Sequence, residues 1–149
     1  MTISRTRLAL VGLTLFFSWA AAARKPQKNP AVGVVDEFTS AYNSKNLEKL
    51  VSLYASDAIM VSEGGIAEGH EAIQARLSAG VRKGNTIAEL HPAKGESSGK
   101  LSYTEGSADI ISGDQHLRRR YLVVVRTTGS SREIILHYSL PIVEKSARR

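Results

Sequence analysis

The chain has no cysteine among its 149 residues, which excludes disulfides, a lipidated cysteine anchor, a cysteine nucleophile and a thiolate metal site. It also lacks an apolar run of the ~20 residues that a membrane-spanning helix needs. The longest candidate, Leu8 to Trp19, is too short; Arg5 and Arg7 precede it and Ala21-Ala22-Ala23 follow it. A basic start, an apolar centre and a small-residue stop form the pattern of a secretory signal, with cleavage expected after Ala23. The mature protein is expected to be secreted or periplasmic, with no membrane contact after signal cleavage. No internal repeat is visible, and no low-complexity segment is long enough to be a second domain. The expected organisation is a signal peptide at 1–23, a polar disordered linker at 24–31, one domain at 32–145 with a single core, and a basic tail at 146–149.

The formal net charge is +6, yet a nucleic-acid footprint is missing. Arg24, Lys25 and Lys28 precede the folded body, and Lys145, Arg148 and Arg149 follow it. The remaining cluster is Arg118-Arg119-Arg120. On a strand, Arg118 and Arg120 share one face and Arg119 takes the other. That gives a solvated face plus one inward or interfacial arginine, rather than a basic stripe interleaved with aromatics. No nucleic-acid partner is expected.

Residues 34 to 73 carry the clearest pattern. Val34, Val35, Phe38, Ala41 and Tyr42 recur at three- and four-residue steps, as one face of an amphipathic helix requires. Asn43, Ser44 and Asn46 then disfavour a helix interior, because their side chains compete for backbone hydrogen bonds, and Asn46 is placed to N-cap the next helix. Leu47, Leu50, Val51 and Tyr54 restart the apolar stripe. Ser56-Asp57 is expected to end that helix, Ala58 to Ser62 reads as a short strand, Gly64-Gly65 breaks it, and a third helix begins after Gly69.

From Asn85 onward the helical period disappears. Four strand-like runs follow: Thr86 to Lys94, Leu101 to Ile111, His116 to Thr128 and Arg132 to Val143. Turn signals separate them at Gly95 to Gly99, Ser112-Gly113-Asp114 and Gly129-Ser130-Ser131. The last two connections are short enough for hairpins, so those strands should be antiparallel neighbours. Tyr121 to Val125 is a continuous apolar run, which implies a strand covered on both faces.

This order, down to LVSLYASDAIMV and EGHEAIQARL, resembles the nuclear transport factor 2-like superfamily, whose members include ketosteroid isomerases and SnoaL-like polyketide cyclases. The resemblance covers nearly the whole chain after residue 31. It implies an α+β fold in which a curled, mostly antiparallel sheet wraps around three N-terminal helices to form a cone-shaped, cystatin-like roll with an apolar pocket. It also implies a second subunit's sheet against the outer face, hence a homodimer. The same cone serves catalysts, binders and assembly domains, so function has to be argued from side chains in the pocket.

Matched without a gap, the isomerase's oxyanion tyrosine falls on Phe38 and its general-base aspartate on Ser62. A phenylalanine cannot donate a hydrogen bond to an enolate, and an unaided serine is no proton shuttle near neutral pH. Steroid isomerisation by that route is therefore not expected. The candidates for acid/base work are Glu63, next to Ser62; Asp109, which shares a strand face with Tyr103, Glu105 and Ser107; and His137. Asp57 reads as structural, its carboxylate accepting backbone N–H groups at a turn. His70 and His116 read as solvated. His91 and His137 lie on strands, and His137 reaches the pocket if Ile135, His137 and Ser139 face the concave side. None of the four histidines pairs at the i, i+4 spacing of a helical metal motif, so no metal is expected, and no cofactor either. The expected pocket lining is Phe38, Tyr42, Tyr54, Met60, His91, Tyr103, Tyr121 and His137. The favoured reading is a domain that binds a small apolar molecule. The alternatives are a cofactor-independent isomerase, cyclase or dehydratase, and a pure dimerisation or assembly domain.

Overall fold

The computed structural model describes residues 29–143. The expected signal peptide, the linker up to residue 28 and the basic tail lie outside the described residues. Helix α1 spans Pro30–Asn43. Asn29 caps it by accepting the Ala31 N–H at 2.9 Å, with proline in the first turn, where its missing N–H costs nothing. The same Asn29 side chain donates to the Tyr103 carbonyl at 2.9 Å, and Ala31 is fully buried. The linker expected to run to residue 31 therefore ends before 29: a cap, a helix start and a buried alanine already belong to the fold there.

Helix α2 is short, Leu47–Ser52, with Asn46 at its N-cap accepting the Lys49 N–H at 2.9 Å. Strand β1 follows at once as Tyr54–Ser62. Tyr54 thus lies on a strand rather than on the second helix, and Ser56-Asp57 lies inside that strand instead of ending a helix. The physical reason is pairing at long range. Tyr54 is in register with Ile134 of the last strand, and the Ile134 N–H reaches the Leu53 carbonyl at 2.7 Å. Strand β2 (Gly65–Glu68), helix α3 (Gly69–Arg82), and strands β3 (Thr86–Ser98), β4 (Leu101–Ser112), β5 (Gln115–Thr128) and β6 (Ser131–Pro141) complete the chain. Strand β3 runs through the stretch expected to turn at Gly95, and the reversal comes at Gly99, whose φ of 58° is left-handed.

The six strands form one sheet in the order β2-β1-β6-β5-β4-β3, with β1 and β6 parallel and every other pair antiparallel. Helix α1 packs across β3 to β6, and α3 covers β1 and β2. Alternation sorts the faces. Ser102, Thr104, Gly106 and Ala108 of β4, and Tyr121, Val123 and Val125 of β5, point towards the helices. Their neighbours Tyr103, Glu105, Ser107, Asp109, Leu122 and Val124 occupy the outer face. Val34, Leu50, Tyr54, Ile73, Val125 and Ile134 are the most deeply buried large side chains of the core. Among the described residues no helix is long and apolar enough to cross a membrane.

β-Bulges and register shifts bend the strands, β1 between Tyr54 and Ile59 among them. In β6, Val125 pairs with Ile134 and Val124 with Leu136, which leaves Ile135 as the extra residue. Ile134 and His137 therefore share the inner face although they are three apart. In β3, Ala88 and Ala93 are the corresponding extra residues.

Candidate functional site

Between α1, α3 and the inner face of the sheet lies a cavity of about 440 Å³. Its walls are mostly apolar: Phe38 from α1, Leu77 from α3, Leu90 and Ile110 from the β3–β4 pair, and Val123 and Ile134 from β5 and β6. A few polar groups converge on it, as a ligand site requires.

The most constrained of these is His137, which is 8% exposed. Its Nδ1 lies 2.5 Å from the Tyr54 hydroxyl, the two rings stack at 6.0 Å, and the edge of Phe38 meets the imidazole at 5.2 Å. Burial, with the Arg119 charge second, pushes the His137 pKa down from 6.5 to about 4. Burial likewise holds the Tyr54 phenol well above 10. At neutral pH the phenol keeps its proton and the imidazole is uncharged, so Tyr54 donates and Nδ1 accepts. The ring proton must then sit on Nε2. No described residue bonds that nitrogen, so Nε2–H is a fixed donor left over for the cavity.

Arg119 is the second polar group. Its Nε donates to Ser139 Oγ at 3.1 Å, one Nη to the Ser139 carbonyl at 2.9 Å and the other to Glu63 Oε2 at 2.8 Å. With three of its five N–H groups engaged, the guanidinium is 18% exposed and held in place at the cavity wall. Glu63 sits at the rim as its ion-pair partner. Arg76 closes the same side, donating to Ser62 Oγ at 3.2 Å and to the Gly64 carbonyl at 2.7 Å. Tyr42 stacks on Phe38 at 5.8 Å. Burial raises its pKa, against the opposing effects of an Asn85 hydrogen bond and the Arg119 charge. Two buried atoms on the lining, the Tyr121 hydroxyl and Asn85 Oδ1, have no partner among the described residues. An unpaired buried polar group costs about 1–3 kcal/mol.

Of the residues expected to line the pocket, Phe38, Tyr42, Met60, Tyr121 and His137 do so. Tyr54, His91 and Tyr103 do not. Tyr54 lies behind two lining residues, hydrogen-bonded to His137 and edge-to-face with Phe38 at 6.4 Å. Tyr103 is on the outer face, because its neighbours Ser102 and Thr104 are the buried ones. His91 is outside as well, two residues from Glu89 and bonded to Asp109 at 2.8 Å. Asp109 faces outward, its carboxylate held low first by the His91 hydrogen bond, which burial opposes and the Arg118, His91 and His116 charges support. The sheet separates it from the cavity, so it cannot act on a molecule bound there. Glu63 and His137, the other two acid/base candidates, both border the cavity. Asp57 is structural in a different way from the expected one: its carboxylate meets Arg126 at 3.0 and 3.5 Å across the sheet. His70 is engaged rather than free, its Nε2 lying 2.8 Å from the Tyr54 carbonyl. Asn85 and Arg76 were not expected at the site. Arg119 and Ser139 had a signal in alternation, Arg119 as the inward arginine beside Tyr121 and Val123, and Ser139 on the face of His137.

No family model and no curated protein matches the sequence. Solved structures do match. One is a nuclear transport factor 2-like protein of unknown function from Pseudomonas putida, 16% identical, covering 79% of this chain and 88% of that one, with a TM-score of 0.67. Another is a putative calcium/calmodulin-dependent protein kinase type II association domain from Thiobacillus denitrificans, 13% identical, covering 80% and 100%, at 0.69. A ketosteroid isomerase-like protein from Erwinia carotovora atroseptica is 10% identical, covering 76% and 94%, at 0.66. At such identities the likeness is one of fold. The molecule is an α+β cone with an open, mostly antiparallel sheet. That cone is the nuclear transport factor 2-like, or cystatin-like, fold.

Proposed function

We propose that this domain binds a small, mainly apolar molecule bearing an acceptor oxygen, a carbonyl or carboxyl group, in the cone pocket. The observation that carries the reading is the fixed Nε2–H of a neutral, buried His137 beside the Arg119 guanidinium, in a cavity whose walls are otherwise apolar. A preset donor costs the ligand no reorganisation, and an apolar body gains roughly 25 cal/mol for each Å² it removes from water. Binding is favoured over isomerase-type catalysis because Phe38 and Ser62 stand at the isomerase positions, Asp109 is outside, and Glu63 is committed to Arg119. A pure assembly domain would fill its interior with its own side chains, and about 440 Å³ of open space argues against that.

The test is calorimetric titration with matched series of alkanes, alcohols, methyl ketones and fatty acids of equal chain length. Ketones or acids should bind at least about tenfold tighter than the alkane, the worth of a hydrogen bond of roughly 1.4 kcal/mol. His137→Phe should erase that preference while leaving the apolar part of the affinity. Equal affinities across the series would refute the reading.

Two further parts of the proposal concern assembly and location. Leu122, Val124, Leu136 and Tyr138 are neighbours in the β5–β6 register and form an apolar centre on the outer face. Arg120 and Glu105 flank Leu122, and among the described residues neither has an ion-pair partner. Opposite unpaired charges on one face suit a two-fold contact with a second copy, in which one protomer's arginine meets the other's glutamate. The pattern at residues 5–23 supports export, and an intact mass of the native protein that begins elsewhere than Arg24 would count against it.

A further inference from the structure

The outer face of the sheet carries a second cluster of reactive side chains, on the far side of the sheet from the cavity. Glu89 and His91 are two apart on β3 and share that face. The bulge at Ala88 is what turns them outward, because a regular strand continuing from the inward-facing Ile87 would send both inside. The register then sets Glu89 directly opposite Asp109 on β4, with His91 as the diagonal neighbour of that aspartate. His91 Nε2 lies 2.8 Å from Asp109 Oδ2 and Nδ1 lies 3.8 Å from Glu89 Oε1. One donor atom from each residue falls within 4.8 Å of the others. On β5, exposed His116 lies diagonally beyond Asp109, close enough for its charge to act on that carboxylate.

One imidazole and two carboxylates on rigid paired strands form a mixed nitrogen and oxygen donor set. Calcium and magnesium prefer oxygen ligands alone, whereas zinc and its neighbours among the divalent transition ions accept imidazole readily. We propose that Glu89, His91 and Asp109 form a three-ligand binding site for a divalent transition ion of the zinc class, with its fourth position open to water. The ion replaces the proton between His91 and Asp109. Bonds of ~2.0–2.2 Å to nitrogen and oxygen place tetrahedral ligand atoms ~3.3–3.5 Å apart, so the pair at 2.8 Å opens by about 0.5–0.7 Å. Glu89, 68% exposed, swings in without disturbing the core. Arg118 opposes binding, since its Nε is 3.5 Å from Asp109 Oδ1, but its side chain is 54% exposed and can leave for water. The same two strands carry Leu90, Ala108 and Ile110 on their inner face. An ion across β3 and β4 therefore pins the edge strand that forms one wall of the pocket.

The experiment is calorimetric titration of the untagged, chelator-stripped protein with zinc chloride, alongside the visible absorption of cobalt(II) and thermal unfolding with and without zinc. One ion per chain is expected. His91→Ala should weaken binding at least about tenfold, because changes in the outer shell alone cost about 10–100-fold. Glu89→Gln and Asp109→Asn should weaken it too, and Arg118→Gln should tighten it severalfold by removing a repelling charge. Zinc should raise the unfolding temperature of the wild type but not of His91→Ala, while in chelator the two should unfold alike because the side chain is partly solvent-exposed. Arg118→Gln, at an exposed position, gives an independent readout. The proposal is overturned by fewer than one ion bound at millimolar zinc, by undiminished binding in His91→Ala, or by weaker binding in Arg118→Gln.

Discussion

Acidification should weaken the fold through one residue, and His137→Phe should remove that weakness. In the folded protein His137 titrates at about 4; in an unfolded chain it titrates near its ordinary value of about 6.5. The unfolded chain therefore takes up the proton first. The stability this residue contributes is whole above about pH 6.5, falls by about 1.36 kcal/mol per pH unit towards pH 4, and levels off below that. The full loss is about 3 kcal/mol, a large part of the 5–15 kcal/mol that typically holds a domain together. His137→Phe leaves the Tyr54 hydroxyl without its acceptor, which costs about 1–3 kcal/mol at every pH. The variant thus starts lower but lacks the slope. Urea denaturation at pH 7, 6, 5 and 4 should show the gap between wild type and variant closing by about 3 kcal/mol, or about 2 M in midpoint for a slope near 1.5 kcal/mol per M. Asp57 and Asp109, whose carboxylates are held below the ordinary carboxylate value, lose their contribution at lower pH than this range, and identically in both proteins. Parallel curves, or an imidazole signal for His137 that titrates near pH 6.5, would show that the ring is not desolvated as described.

Tyr54→Phe should cost about 1–3 kcal/mol by orphaning His137 Nδ1; nitrogen-15 NMR should find the proton on Nε2 in the wild type and shared between both nitrogens in the variant, and a wild-type proton on Nδ1 would be contrary to the proposed donor. On β5, Val124→Lys should leave a folded chain that light scattering finds monomeric, whereas Val123→Lys, which buries a charge where only 3% of the side chain is exposed, should prevent folding. A wild-type protein that is monomeric at high micromolar concentration would refute the pairing of outer faces.

The sequence made the architecture legible and the sheet faces ambiguous. Periodicity at Val34, Val35, Phe38, Ala41 and Tyr42, with the Asn46 cap, located the first two helices, because these are local signals set by neighbours in the chain. Tyr54 was misplaced because Leu50, Val51 and Tyr54 suit a helical stripe as well as a strand start, and Ile134, eighty residues on, decides between them. Tyr103 and Asp109 were rightly grouped on one face, but alternation gives only parity and does not say which parity is inside. Bulges defeat even parity: Ile135 was grouped with His137, and the extra residue there instead brings Ile134 inward with it. The donor set of Glu89, His91 and Asp109 escaped notice for the same reason. Its spacing is created by a bulge and by cross-strand register, neither of which leaves a motif in the chain. The neutral state of His137 depends first on its burial and second on a guanidinium from another strand, which no linear pattern records.

The final strand lies between the first and the fifth, so the chain's last segment is the wedge that joins two otherwise separate pieces. Until residues 131–141 arrive, β1 and β2 have no partner beyond each other, and β5 presents an open, apolar edge. The part of the cavity wall that carries Ile134, His137 and Ser139 is missing at that moment. Closure of the sheet must therefore wait until residue 141 has been made, and a chain cut before residue 131 would expose two strand edges. A molecule that needs the His137 donor can bind only after the last strand is in place.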